Sequence, residues 1–184
     1  ELLRVAAQPG IAAIRLGVGG SATSDLGLGA QAALGLEFRT SRGELVQPPI
    51  PAHWDRIARL TGQLAAPLPP IRIACDVTNP LLGPRGAAAI YGPQKGLRAA
   101  DLPRLESAAA RLALLLCHHH GRTDALMDTP GAGAAGGISF GLMAAAHAQL
   151  LPGFDLVTGW LGLESRLAAA DIAGVTPQTM FRLE

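Results

Sequence analysis

Along this 184-residue chain, short apolar runs alternate with stretches in which apolar residues recur at helical spacing. Residues 1–8 predict the tail of a helix, stopped by Pro9-Gly10. Residues 11–18 are apolar apart from Arg15 and predict a strand. Gly19-Gly20 then turn the chain, and Ser21 or Thr23 is placed to cap a helix over residues 26–34 that ends at Gly35. Residues 36–40 alternate as a strand, residues 41–43 turn, and residues 44–46 return as a hairpin. Two proline-rich connections, 47–51 and 63–70, flank a short helix expected over 53–60. Residues 71–74 predict a buried strand. Leu102, Leu105, Ala109, Leu112 and Leu116 keep a helical period, with Asp101 as N-cap and Pro103 in the first turn. That helix is expected to end near His118-His119-His120-Gly121. A second helix, rich in small residues, is predicted over 134–148. A third, over 154–169, would turn Leu156, Trp160, Leu163 and Leu167 to one face. Asp171-Ile172 reads as the start of a further strand. Strands alternating with helices predict an α/β fold, a mixed sheet with helices packed on it.

Composition narrows the function classes. Hydrophobic residues make up 49% of the chain, enough to bury a core. Net charge is +1, from 15 basic and 14 acidic residues spread without blocks, which argues against nucleic acid or an anionic membrane surface as partner. Aromatic residues are 4% of the total, so a base-stacking platform is not expected. The two cysteines, Cys75 and Cys117, lie far apart and form neither a metal spacing nor a disulfide framework. With no apolar stretch long enough to span a membrane and no leader-like segment, a reducing, cytoplasmic location is expected. The first residue is Glu1, and the chain reads as a piece of something longer.

The candidate chemistry lies in three glycine-bearing segments. In the first, Asp76 follows the 71–74 strand, and a loop with Asn79, Pro80, Gly83, Pro84, Arg85 and Gly86 leads to Gly92-Pro93-Gln94-Lys95-Gly96. Ligands of open α/β sheets bind outside the carboxyl ends of the strands, so an acid there suits a phosphorylated or metal-bound ligand. The alternative is a solvated loop with a helix-capping aspartate. Asp76 is the candidate to hold Mg²⁺ or accept a hydroxyl proton. Lys95 is a point charge for phosphate, with no P-loop around it. The second segment, Gly19-Gly20-Ser21-Ala22-Thr23-Ser24-Asp25, combines a strand end, glycines, hydroxyls and a helix start, an arrangement that binds anions. The third, residues 130–137, contains Gly131, Gly133, Gly136 and Gly137. Its G-x-G-x-x-G is not a dinucleotide fingerprint, because no apolar strand precedes Gly131. It reads instead as a loop feeding a helix N-terminus: a second phosphate-sized site that a side chain at Gly133 would block while sparing the fold. Close packing of that helix against the sheet would need the same small residues. The consecutive histidines 118–120 point in different directions on a helix and are not expected to bind a metal together.

These blocks, in this order, resemble the glycerate kinase family: Gly19–Asp25, the run Ala74-Cys75-Asp76-Val77-Thr78-Asn79-Pro80-Leu81-Leu82-Gly83, residues 92–96 and residues 130–137. The resemblance runs from about residue 14 to residue 171. It implies an ATP- and Mg²⁺-dependent kinase acting on a hydroxyl of D-glycerate. Asp76 and Lys95 would then be catalytic. Gly19, Gly20, Ser21, Thr23, Asp25, Asn79, Arg85, Gly131, Gly133, Gly136 and Gly137 would bind substrate or phosphate. The sequence departs from the family at Ser24 and Leu26, where Asn and Gly are usual. The family's opening PDSFK-like segment and late acidic glycine block are missing. Residues 1–172 would thus be the middle part of a two-domain kinase, and residues 173–184 a tail outside the family pattern. On that reading the isolated chain folds without turnover; the alternative is a non-catalytic α/β remnant.

Overall fold

The computed structural model describes residues 2–64 and 68–169. The elements run α1 (Leu2–Ala6), β1 (Ile14–Gly17), α2 (Leu28–Ala33), β2 (Glu37–Arg39), β3 (Arg59–Thr61), β4 (Ile71–Ala74), α3 (Ala87–Tyr91), α4 (Leu102–His119), α5 (Ala134–Ala146), β5 (Gln149–Leu151), α6 (Gly153–Leu161) and α7 (Leu163–Ala168). Single 3₁₀ turns lie at Pro51–Arg56, Pro93–Lys95, Ala99–Asp101 and Asp124–Asp128.

Strands β1, β4 and β5 form a parallel sheet in that order. Strands β2 and β3 pair antiparallel as a separate two-stranded sheet, with a bridge from Arg39 to Leu45. The expected α/β fold is present, with its parallel and antiparallel parts divided between two sheets. The parallel sheet buries Ile14, Ile71 and Ile73 in one core with Leu112 and Leu116 of α4 and Phe140 and Leu142 of α5. Phe38, Trp54 and Ile57 extend this core beneath the small sheet. Arg111 of α4 anchors that extension, its guanidinium donating to the carbonyls of Ile57 and Trp54, each at 2.6 Å.

Several expectations change. The helix expected over 53–60 is a 3₁₀ turn followed by β3, because Arg59–Thr61 finds a partner in β2. Strand β5 was not expected at all; it sits against the free edge of β4. The helix expected over 154–169 breaks at Gly162, whose left-handed φ of 60° ends α6. Its apolar face is not buried, and Trp160 is 66% exposed with the Arg15 guanidinium 5.9 Å from its ring centroid. Asp101 does not cap α4 with its side chain, which instead pairs with Arg98 at 2.7 Å. The strand expected at Asp171-Ile172 and the tail 173–184 lie outside the described residues.

Candidate active-site cleft

Two adjacent parallel strands end side by side. After β1 come Val18, Gly19, Gly20 and Ser21; after β4 come Cys75, Asp76 and Val77. A cleft of about 260 Å³ opens over these ends. Tyr91, Gln94 and Lys95 close one side of it, and Ala134 and Ala135 at the start of α5 close another. This is where an open parallel sheet is expected to bind a ligand.

Lys95 reaches the first loop. Its Nζ donates to Ser21 Oγ at 3.0 Å and to the Thr23 carbonyl at 2.5 Å. Burial pushes the Lys95 ammonium below its ordinary pKa, and the nearby Asp25 charge opposes that shift. Two of its three protons have protein acceptors, which leaves one for a ligand. The backbone N–H groups of Gly19, Gly20 and Ser21 have no acceptor among the described residues. A Cβ built on Gly19 or Gly20 meets nothing within 4 Å. This stretch of backbone is open to a ligand.

Asp76 both lines the cleft and caps a helix, so its capping role does not take it out of the cleft. Its Oδ1 accepts from the Gly153 N–H at 2.7 Å, satisfying a free donor at the start of α6. Its Oδ2 has no partner among the described residues. Beside it, the Cys75 thiol donates to the Val77 carbonyl at 3.4 Å. Burial pushes that thiol up; its hydrogen bond to Val77 opposes the shift and the Asp76 charge adds to it. Cys75 therefore stays protonated and is no ready nucleophile.

Other residues singled out in the sequence hold the cleft together from outside. Asp25, rather than Ser21 or Thr23, caps α2: its two oxygens accept from Gly27 and Gly29 at 3.0 and 3.1 Å. Asn79 is a hub. Its side chain donates to the Arg85 carbonyl at 2.8 Å and accepts from the Tyr91 hydroxyl at 2.6 Å. Its own carbonyl accepts from Gly131 and Gly133 at 3.2 and 3.0 Å, so those two N–H groups are already engaged. Arg85 is exposed and is not among the cleft-lining residues.

Gly133 and Gly136 are where they are because other backbone lies against them. A Cβ on Gly133 would sit 2.3 Å from the Pro80 carbonyl oxygen, and one on Gly136 would sit 2.1 Å from that of Thr23. The expectation that a side chain at Gly133 spares the fold is therefore corrected: the site is filled by the 75–86 loop. Gly137 packs against Leu26 and Leu81. Between them, Ala135 takes φ 53° and ψ 39°, left-handed values that a non-glycine residue rarely holds. Leu26, one of the two departures from the family pattern noted in the sequence, is left-handed too, with φ 57°. Its buried side chain packs against this turn.

Tyr91, Gln94, Cys75 and Ala135 were not named as site residues from the sequence. Cys75, Gln94 and Ala135 lie inside the motif blocks and Tyr91 borders one; the strain at Ala135 exists only in the folded turn.

Comparison with known proteins adds a match of residues 1–176 to the model of the glycerate kinase family. The chain belongs to the glycerate kinase family. It is 38% identical over 163 residues to a glycerate kinase of Halalkalibacterium halodurans, covering 85% of this chain and 41% of that protein. It is 37% identical over 173 residues to glycerate 2-kinase of Escherichia coli K12, covering 91% and 44%. The chain thus spans less than half the length of these relatives. A crystal structure of a protein assigned as glycerate kinase 2 in Salmonella typhimurium LT2 superposes with a TM-score of 0.80 at 39% identity, covering 92% of this chain and 46% of that one. No helix among the described residues is long and apolar enough to cross a membrane.

Proposed function

We propose that the protein carrying this chain phosphorylates a hydroxyl of D-glycerate from ATP, with the cleft between the ends of β1 and β4 as part of its active site. The reading rests on one observation: Asp76, Lys95 and the N–H groups of Gly19–Ser21, which have no acceptor among the described residues, line the same cleft at adjacent strand ends. Phosphoryl transfer is mostly positioning and charge stabilisation, and these groups are of the kinds it uses. Lys95 and the Gly19–Ser21 backbone take the anionic oxygens of phosphate or substrate carboxylate. Asp76 Oδ2 accepts from the attacking hydroxyl or holds magnesium.

One exposed carboxylate fits a magnesium ion held mainly by water and nucleotide phosphates. Among the described residues no cluster of three or more His, Cys, Asp or Glu could hold a metal unaided. Magnesium carried with the nucleotide would neutralise charge on the phosphate oxygens. Asn79 and Asp25 act by holding loops, and the 130–137 segment forms the wall behind the cleft.

A coupled ADP-release assay on the intact polypeptide, with D-glycerate and Mg-ATP, tests this. Asp76→Asn is expected to lower kcat by at least ~10²-fold, the scale for a lost charge-positioning group. Loss of less than about threefold, in an enzyme that does turn over D-glycerate, would reduce Asp76 to a helix cap. No ADP release from the intact wild-type protein would favour a non-catalytic remnant.

A further inference from the structure

Asp76 is held in place by an element that has little else to do with the cleft. Helix α6 packs against β4, and apart from Gly153 its residues are exposed or half-buried. Its first residue nevertheless touches the candidate catalytic carboxylate at two points. The Gly153 N–H, which no intrahelical acceptor can use, donates to Asp76 Oδ1 at 2.7 Å. The positive end of the helix favours the carboxylate's charge at the same place. The Gly153 Cα face also abuts the carboxylate: a Cβ there would lie 2.5 Å from Oδ2 and 3.1 Å from both Cγ and Oδ1. Gly153 is not left-handed, so its backbone does not demand glycine; the three atoms nearest to an added Cβ all belong to the Asp76 carboxylate.

We propose that Gly153 is the positioning residue of this site: it fixes the rotation of the Asp76 carboxylate, engages Oδ1, and leaves Oδ2 as the single oxygen presented to the ligand. This rests on the reading of Asp76 as a group that acts on the ligand. A side chain at 153 leaves the N–H in place but pushes the carboxylate aside. Because misplacement by ~1 Å costs ~10²-fold in rate, the effect falls on the chemical step more than on binding.

The experiment is Gly153→Ala in the intact polypeptide, beside Asp76→Asn, with kcat, both KM values and Tm measured for each. Gly153→Ala is expected to lower kcat by ~10- to 100-fold while both KM values stay within about threefold. If Asp76→Asn is crippled but Gly153→Ala keeps kcat within about twofold, or changes KM alone, the positioning role is overturned and the reading of Asp76 survives. If Asp76→Asn turns over at the wild-type rate, the reading of Asp76 fails and the inference falls with it. Should Gly153→Ala not fold, hydrogen exchange at the Gly153 amide of the wild-type protein decides. Slower exchange with D-glycerate and Mg-ATP bound supports a carboxylate clamped between ligand and Gly153, and unchanged exchange at saturation overturns it.

Discussion

The two glycine-rich loops look alike on paper and differ in the folded molecule. At Gly19 and Gly20 the space beside the backbone is empty, and the N–H groups of Gly19–Ser21 point to no protein acceptor among the described residues. At Gly133 and Gly136 the space is taken by the carbonyls of Pro80 and Thr23, and the N–H groups of Gly131 and Gly133 bond to Asn79. Glycine in the first loop borders open space. In the second it leaves room for the protein itself. The second loop is also the scaffold of the first: the Leu26 N–H donates to the Gly136 carbonyl at 3.1 Å, just after residues 19–25.

The largest break in this comparison is expected from Gly136→Ala. The new methyl overlaps the Thr23 carbonyl in a left-handed residue with φ 70°. Overpacking and backbone strain together should cost at least about 3 kcal/mol in urea unfolding. Near-wild-type stability would mean the loops are not in this contact. Next is Lys95→Met, which removes the tether to Ser21 and Thr23 together with the free ammonium proton. A fall in kcat of ~10²-fold is expected, with faster hydrogen exchange across residues 19–25. Faster exchange with unchanged turnover would make Lys95 a strut only.

Gly19→Ala probes the open loop from the other side. Stability should move by no more than about 0.5 kcal/mol, since the methyl enters empty space. Affinity for Mg-ATP or D-glycerate, by calorimetry on the intact protein, should fall roughly tenfold, because backbone can no longer approach as closely. The smallest effect lies away from both loops. Burial first, then His119, His147 and Arg122, lower the pKa of His120 from 6.5 to about 4. Its Nε2 lies 3.3 Å from Gln31 Oε1. Between pH 6.5 and 4 the unfolded chain takes up a proton that folded His120 refuses. The neutral ring's contribution is therefore intact above pH 6.5 and is lost as pH falls toward 4. Tm should drop by a few degrees over that window, and His120→Gln should flatten the drop; an equal drop in the variant would assign it to other groups.

Local chemistry in the sequence was sufficient for β4, whose four residues match the apolar run at 71–74, and for α4, whose buried Ala109, Leu112 and Leu116 are those of the helical period. It was also sufficient for the cleft's two charged residues, because an acid after a buried strand and a lysine between glycines are chemical signals at any distance. Pairing is not local. Strands β3 and β5 have three residues each and exist because β2 and β4 offer free edges. Sequence could not tell Asp25 from Ser21 or Thr23 as the cap of α2, since all three can accept from a backbone N–H. Only the fold brings Gly153 to Asp76 across 77 positions and sets Pro80 and Thr23 against the second loop. A glycine in a sequence does not say what lies beside it. Whether that space is open, as at Gly19, or filled by other backbone, as at Gly133, is decided by contacts between segments far apart in the chain.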